Sequence, residues 1–179
     1  MKQALLLVDV QNDYFESGKS ELFNTVKTLD NIWKILTKFR ENNSTVIHIQ
    51  HVNIRDEATF FLPNTEGVEI NEKVAPLKSE HLIKKHFPNS FLNTNLADIL
   101  RENKIDSVVI CGMMSHICID STVRAAKEFG LEVILIEDAC TTKDLTLNNF
   151  AIKAEVVHNV FMAALNGMFA KVMKTTEFL

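Results

Sequence analysis

The sequence has no apolar run long enough to cross a membrane and no pairing pattern among its cysteines. A spanning helix needs about 20 apolar residues, and no such stretch occurs among the 179 residues. The N-terminal residues also lack the apolar segment and cleavage site of a signal peptide. The three cysteines, Cys111, Cys118 and Cys140, are odd in number and unpaired in spacing. We therefore expect a cytoplasmic protein with free thiols and no membrane partner.

Signatures for nucleotides and nucleic acids are absent as well. Neither the GxGxxG fingerprint nor the GxxxxGK[ST] phosphate loop occurs. The formal net charge is -4 and the pI is near 5.9, so the chain lacks the positive charge that a nucleic acid partner requires. These absences leave a small molecule as the expected partner.

Hydrophobic residues make up 46% of the chain and follow two alternating patterns. Short apolar runs, typical of strands buried on both faces, occupy residues 4–10, 45–49, 81–83, 107–111, 132–136 and 169–173. Between them, apolar residues recur at helical spacing, as in Leu22, Val26, Leu29, Trp33 and Leu36, and in Phe150, Ala154, Val157, Phe161 and Leu165. The alternation predicts an α/β fold, a three-layer α/β/α arrangement around a six-stranded, mainly parallel sheet of order 3-2-1-4-5-6. No linker divides the chain, so we expect one domain, residues 1–179.

Residues 51 to 80, called the 51–80 segment below, show neither pattern. A connection of that length in a compact domain is usually a lid, a binding loop or an interface, although a plain surface excursion fits equally well. The segment has enough apolar side chains to form an exposed interface patch, namely Phe60, Phe61, Leu62, Val68 and Ile70. We therefore expect a homo-oligomer, a dimer or larger.

Two reactive side chains follow strands that the expected order makes neighbours. Asp9 closes the first strand, where a charge within an apolar run is costly unless it has a partner. Cys118 follows the fourth strand at the predicted start of a helix. Ligands of open parallel sheets bind beyond the carboxyl ends of the strands where the strand order reverses, so both side chains would face one crevice. A helix start and a nearby cation both lower the pKa of a thiol, and Asp9 could act as its base.

The cation could come from the third strand. Lys84 and Lys85 point to opposite faces of that strand because side chains alternate along it. The alternation alone does not choose between the two lysines. The remaining cysteines, Cys111 in a strand and Cys140 in a loop, are expected to be inert packing residues.

The motifs around these residues resemble those of the isochorismatase-like cysteine hydrolases. Residues 112–126, GMMSHICIDSTVRAA, are similar to the family's cysteine loop, in which a Gly, two small or apolar residues, a Thr or Ser and two variable residues precede the Cys. The opening LLLVDVQNDYF resembles the family's first strand, with its Asp at position 9. Lys85, followed six residues later by Phe91, resembles the family's Lys segment, and that spacing selects Lys85 over Lys84. Because the resemblance covers essentially the whole chain, residues 1–179 are identified as a single isochorismatase-like hydrolase domain.

The resemblance implies an enzyme that cleaves a C–N bond of a small amide or ureide through a thioester. Cys118 would be the nucleophile, Asp9 the base and Lys85 the electrostatic partner of this catalytic triad. The family also carries a cis peptide bond that maps to Met113–Met114, and the amides of Met114 and Cys118 would form the oxyanion hole. The resemblance also implies the expected homo-oligomer.

Departures from the family pattern concern the metal and the substrate. Nicotinamidases of the family bind a metal through an Asp-x-His cluster, and the corresponding stretch from His48 to Asn53 lacks the Asp. Three suitable ligands are not visible, so we expect no metal and no cofactor, although His48 and His51 could share an ion in principle. Isochorismatases that cleave a vinyl ether generally lack the Cys, so Cys118 favours amide chemistry. The candidate substrate-binding residues are Phe15, Phe60, Phe61, His116 and Ile117.

Two alternative functions stay open at this stage. One is an enzyme of the same fold that hydrolyses a vinyl ether or ester, and ammonia release from small amides would distinguish it. The other is a non-catalytic binding or redox-sensing protein in which Cys118 is merely reactive. The presence of all three polar residues argues against this second alternative.

Overall fold

The computed structural model describes residues 1–179, and its centre is a sheet of six parallel strands. The strands along the chain are β1 (Gln3–Val8), β2 (Thr45–His51), β3 (His81–Lys85), β4 (Ser107–Met113), β5 (Glu132–Thr141), β6 (Leu145–Leu147), β7 (Phe150–Ile152) and β8 (Lys171–Met173). The sheet has the order β3-β2-β1-β4-β5-β8, and β6 pairs with β7 in a separate antiparallel hairpin. The predicted α/β fold and strand order are confirmed. The sixth strand of the sheet is the eighth along the chain because the hairpin precedes it.

Helices flank this sheet. They are α1 (Thr25–Glu41), α2 (Leu96–Glu102), α3 (Asp120–Glu128), α4 (Ala154–Leu165) and α5 (Thr175–Phe178). Helices α1 and α5 pack against β5, whereas α3 packs against both β5 and α4. None of the helices combines the length and the apolar character that crossing a membrane would need.

The central strands are buried on both faces, as their continuous apolar runs predict. Leu5, Leu6 and Leu7 of β1 have no exposed surface, and the same is true of Val108 and Ile110 of β4. This core fixes the carboxyl ends of β1 and β4 side by side, with Val8 opposite Gly112.

Helix α1 buries a different face from the one that its leucine and tryptophan spacing indicates. Val26 and Trp33 are 71% and 45% exposed, whereas Ile32 and Ile35 are fully buried. Phe150 also departs from the prediction, because it lies on the hairpin strand β7 and not on α4. Leu36 of α1, next to Ile35, is buried as expected.

The 51–80 segment contains no helix or strand beyond the last residue of β2 and two short 3-10 turns. Of the five apolar side chains expected to form the patch, only Leu62 is exposed. Phe61 and Val68 are 1% and 4% exposed. Gln11 donates from Nε2 to the carbonyl of Val68 over 2.7 Å, and Asp13 accepts from the amide of Phe61 over 2.6 Å. The exposed patch on which the oligomer prediction partly rested is therefore not formed by this segment.

Candidate active site

Asp9 stands directly after β1, at the edge of the sheet where the strand order reverses. Its side chain has no exposed surface, and its backbone has φ 53°, in the left-handed region that few residues other than glycine adopt. The Asp9 amide donates to the carbonyl of Ile49 over 3.0 Å, so the unusual turn is anchored to β2. Conformations of this kind persist where the surrounding structure imposes them and are frequent at functional sites.

Gly112 brings the cysteine loop close to Asp9. A side-chain carbon at this position would lie 2.0 Å from the carbonyl oxygen of Val8, and φ is +127°. Only glycine therefore allows β4 to approach β1 this closely. Beyond it, the Met113–Met114 peptide bond is cis, and a π-helical turn from Ser115 to Ile119 carries Cys118.

Strand β3 supplies Lys85 to the same point. Because side chains alternate along the strand, Ile83 and Lys85 are buried and Leu82 and Lys84 are exposed. Lys85 is 1% exposed. The sequence left Lys84 and Lys85 as alternatives. The structure selects Lys85, because it lies on the buried face of β3.

The Lys85 ammonium lies at the centre of the site. Its Nζ is 2.8 Å from Oδ2 of Asp9, 3.1 Å from Nδ1 of His51, 3.1 Å from the carbonyl of Phe87 and 3.3 Å from Sγ of Cys118. Burial by itself lowers the pKa of Lys85, but the carboxylate of Asp9 and the sulfur of Cys118 outweigh it and raise the pKa above its ordinary value. Lys85 therefore remains a cation in the folded protein.

The Cys118 thiol is protonated at rest, which differs from the expectation of a lowered pKa. Burial raises its pKa, the Asp9 carboxylate raises it further, and the Lys85 cation only partly offsets both effects. The helix start and the cation that the sequence indicates are present. They are outweighed because Cys118 is buried, at 4% exposure, and lies beside the Asp9 carboxylate.

One oxygen of Asp9 is available for the thiol proton. Oδ2 accepts from Lys85, whereas Oδ1 is buried and has no hydrogen-bond partner. A buried acceptor without a donor is costly. An acceptor oxygen of Asp9 and Sγ of Cys118 lie within 4.8 Å of each other, so a small rotation of the thiol or carboxylate would bring them into contact.

His51 completes the polar cluster as a neutral ring. Burial lowers its pKa to about 4, and the Lys85 cation contributes to the lowering while Asp9 opposes it. Because an ammonium can only donate, Nδ1 of His51 accepts and Nε2 carries the proton.

A metal ion does not suit this cluster, although Asp9, His51 and Cys118 offer ligand atoms within 4.8 Å of one another. The Lys85 ammonium contacts all three atoms and occupies the position between them that an ion would take. His48 cannot join His51, because it lies on the opposite face of β2 and its Nε2 contacts Glu80 over 2.9 Å.

A cavity of about 470 Å³ opens onto Cys118. Of the predicted substrate-binding residues, Phe60 and Ile117 line it. Phe61 packs behind Phe60, Phe15 lies outside the cavity, and His116 bonds to the hydroxyl of Thr142. Lining residues that the sequence analysis did not single out for this role are Tyr14, His51, Asn53, Ile54, Arg55, His86, Phe87, Pro88 and Met114.

Polar residues near the three site residues form hydrogen bonds between the elements that carry the site. Gln11 accepts from the amide of His51 over 2.8 Å and donates to its carbonyl over the same distance. The hydroxyl of Ser90, five residues after Lys85, lies 2.8 Å from that of Thr122 in α3. Buried hydroxyl pairs of this kind fix the Lys segment against the helix that follows the cysteine loop.

Comparison with known proteins agrees with this geometry. The isochorismatase domain matches residues 3–177. The chain belongs to the isochorismatase domain family. The family protein YddQ of Bacillus subtilis, itself uncharacterised, is 50% identical over 100% of this chain and 99% of its own length. The crystal structure of an isochorismatase from Pseudomonas putida superposes with a TM-score of 0.91 at 32% identity, covering 98% of this chain and 89% of that one.

A relative with a named activity points to the reaction class of this isochorismatase-family chain. Streptothricin hydrolase of Streptomyces noursei is 33% identical over 80% of this chain and 51% of its own length. Family membership and this relative identify the chain as a hydrolase.

Proposed function

We propose that residues 1–179 form a single hydrolase domain that cleaves a C–N bond of a small amide or ureide. Cys118 is the nucleophile, Asp9 the proton acceptor and donor, and Lys85 the electrostatic partner. The observation that carries this proposal is the convergence of Asp9 and Cys118 on the Lys85 ammonium, at 2.8 and 3.3 Å, beside a cavity. Such convergence of nucleophile, base and orienting group is typical of covalent catalysis.

The first half of the reaction begins with proton transfer. Oδ1 of Asp9 takes the thiol proton, and Sγ of Cys118 attacks the carbonyl carbon of the substrate. The oxyanion accepts hydrogen bonds from the amides of Met114 and Cys118. The Met114 amide supports this role because it donates to no acceptor of the chain and the residue lines the cavity. Removal of one such donor typically costs about 100- to 1000-fold in rate.

The second half releases both products. Asp9 returns its proton to the substrate nitrogen, and the C–N bond breaks. The amine departs, and the acyl group remains on Cys118 as a thioester. Asp9 then accepts a proton from water, the hydroxyl attacks the thioester, and the carboxylic or carbamic acid departs as the thiol is restored. Lys85 exchanges no proton, because its raised pKa keeps it charged. It orients Asp9 and stabilises the transient thiolate.

The walls of the cavity favour a flat or apolar substrate body. Phe60 and Ile117 line the cavity next to the nucleophile, and Phe87 adds a third apolar wall. We assign Phe60 and Ile117 to substrate binding. No contact in the structure supports the same role for Phe15, Phe61 or His116.

Ammonia release from a panel of primary amides and ureides tests the proposal. Cys118→Ala should abolish release, whereas Cys140→Ala, which removes a buried thiol outside this cavity, should leave the rate nearly unchanged. Hydrolysis of esters or vinyl ethers without any ammonia from amides would favour the alternative reaction. Full activity of Cys118→Ala would exclude the cysteine mechanism.

We also propose a cytoplasmic homo-oligomer. The cytoplasm keeps its three unpaired cysteines reduced. Helix α4 is apolar on both sides: Val157 and Leu165 face the core, whereas Val156 and Val160 are 53% and 58% exposed. Two exposed valines one helical turn apart form an apolar patch of the kind that marks an interface, and a second copy of this chain would cover it.

A further inference from the structure

One wall of the cavity contains polar groups that the hydrolytic mechanism does not use. Asn53, Arg55 and His86 line the cavity together with apolar side chains, and no aspartate or glutamate is among the lining residues. His86 contacts the carbonyl of Val52 through Nδ1 over 2.8 Å. The wall therefore combines hydrogen-bond donors with one fixed positive charge and no negative one.

Arg55 differs from the other arginines of the chain. Arg40, Arg101 and Arg124 form ion pairs with Glu80, Asp98 and Asp120. Arg55 has no carboxylate within ion-pair distance, although Asp56 and Glu57 follow it in sequence. A guanidinium presents paired N–H groups that match a carboxylate in two parallel hydrogen bonds.

Asn53 orients Arg55 and adds a donor of its own. Its Oδ1 accepts from the backbone amide of Arg55 over 3.3 Å and from Nε over 3.4 Å. Because both neighbours are donors, the amide group has only one orientation, and Nδ2 points away from Arg55. Asn53 is 4% exposed as a residue, and its Nδ2 donates to no acceptor of the chain. Because Nδ2 is not among the fully buried atoms that lack a partner, it is accessible at the cavity wall and can donate to an acceptor on a ligand.

We propose that this wall binds a carboxylate at the end of the substrate remote from the scissile bond. Arg55 pairs with the carboxylate, Asn53 donates to the same end, and the body between them lies against Phe60 and Phe87. The substrate class is accordingly a small amide or ureide that carries a carboxylate. The bond that is cleaved rests on the proposed function, whereas the binding of the anion does not.

Calorimetric binding to the Cys118→Ala variant tests the anion site without turnover. The probes are succinamate, glutaramate and 4-carbamoylbenzoate, each compared with its methyl ester, which keeps the amide and removes the charge. At least one carboxylate should bind about 10-fold more tightly than its ester. Adding Arg55→Gln should remove this preference and leave the affinity for the ester unchanged. The control Arg101→Gln removes an exposed arginine on α2, outside the cavity, and should have no effect.

Asn53→Asp is an independent variant at the same wall. It keeps the acceptor for Arg55, replaces the Nδ2 donor by an oxygen, and supplies an internal carboxylate for the guanidinium. The preference for the charged probes should disappear at least as completely as with Arg55→Gln. Equal affinity for carboxylates and esters, a preference that survives Arg55→Gln, or no binding of any probe would overturn the proposal.

Ammonia release by the native enzyme separates this proposal from the proposed function. Charged probes that bind through Arg55 but release no ammonia would contradict the amidase reaction and leave the anion site standing. Release from amides and their methyl esters with the same kcat/KM would support the reaction and refute the anion site.

Discussion

Asp9→Asn should make Cys118 more reactive toward iodoacetamide while it abolishes turnover. The carboxylate of Asp9 raises the pKa of the thiol, and the substitution removes this charge but leaves the Lys85 cation 3.3 Å from the sulfur. Turnover is lost because the asparagine amide cannot accept the thiol proton and pass it to the leaving nitrogen. Reactivity of the thiol and catalysis should therefore change in opposite directions.

The size of the effect follows from the separation of the charges. An acceptor oxygen of Asp9 lies within 4.8 Å of Sγ, where unit charges interact by about 3.5 kcal/mol at an effective dielectric constant of about 20. That energy changes the fraction of thiolate by about 300-fold. A less basic thiolate is also a weaker nucleophile, with a Brønsted coefficient of about 0.4–0.5. The expected net gain in alkylation rate is about 20-fold.

Timed iodoacetamide labelling with mass mapping measures this rate at each cysteine. Cys140, whose pKa burial raises to about 12, serves as an internal control and should label at an unchanged slow rate. Asp98→Asn, which removes an exposed carboxylate on α2, should not alter labelling of Cys118. Slower or unchanged labelling in Asp9→Asn would refute the electrostatic account of the thiol.

Three further predictions concern the metal, the stability and the assembly. Turnover should survive dialysis against EDTA, because Lys85 occupies the position between the nearest ligand atoms; loss of activity that zinc or manganese restores would contradict this. Burial raises the pKa of Glu80, but hydrogen bonds from Arg40, the Leu77 amide and His48 lower it to about 2. The stability that Glu80 contributes is therefore present above its ordinary pKa of 4.5 and is lost as the pH falls toward 2. The difference in Tm between the native protein and Glu80→Gln should shrink over that range, and a constant difference would argue against the assignment. Val160→Asp on α4 should convert the proposed oligomer into a monomer in sedimentation experiments, and a native protein that is already monomeric would exclude the interface.

The strand order could be predicted because buried parallel strands have continuous apolar runs and because their connections have one handedness. The hairpin of β6 and β7 was missed because its strands have three residues each. Asn148 and Asn149 both adopt positive φ, as a tight hairpin turn requires. Asparagine tolerates this conformation, so the Asn-Asn pair is the one signal of the turn in the sequence. Phe150 fitted the period of α4, and nothing in the period shows that the helix begins at Ala154.

Motif spacing predicts which residues belong to the site, but it does not predict their burial or their tertiary contacts. Leu82 and Ile83 are both apolar, so the pattern of β3 does not show which lysine shares the buried face. The sequence also indicates a cation near Cys118 but not the depth of burial, which reverses the direction of the change in the thiol pKa. Asn53 and Arg55 lie in a segment without a period, so their meeting on the cavity wall follows only from the tertiary structure.

Peptide mass mapping of rapidly quenched and digested enzyme tests the cysteine mechanism most directly. During turnover of an amide, the peptide containing Cys118 should gain a mass equal to that of the substrate minus ammonia. Hydroxylamine should remove this adduct as a hydroxamate, and Cys118→Ala should show neither the adduct nor turnover. Turnover at an undiminished rate by Cys118→Ala, or an adduct confined to Cys111 or Cys140, would contradict the account.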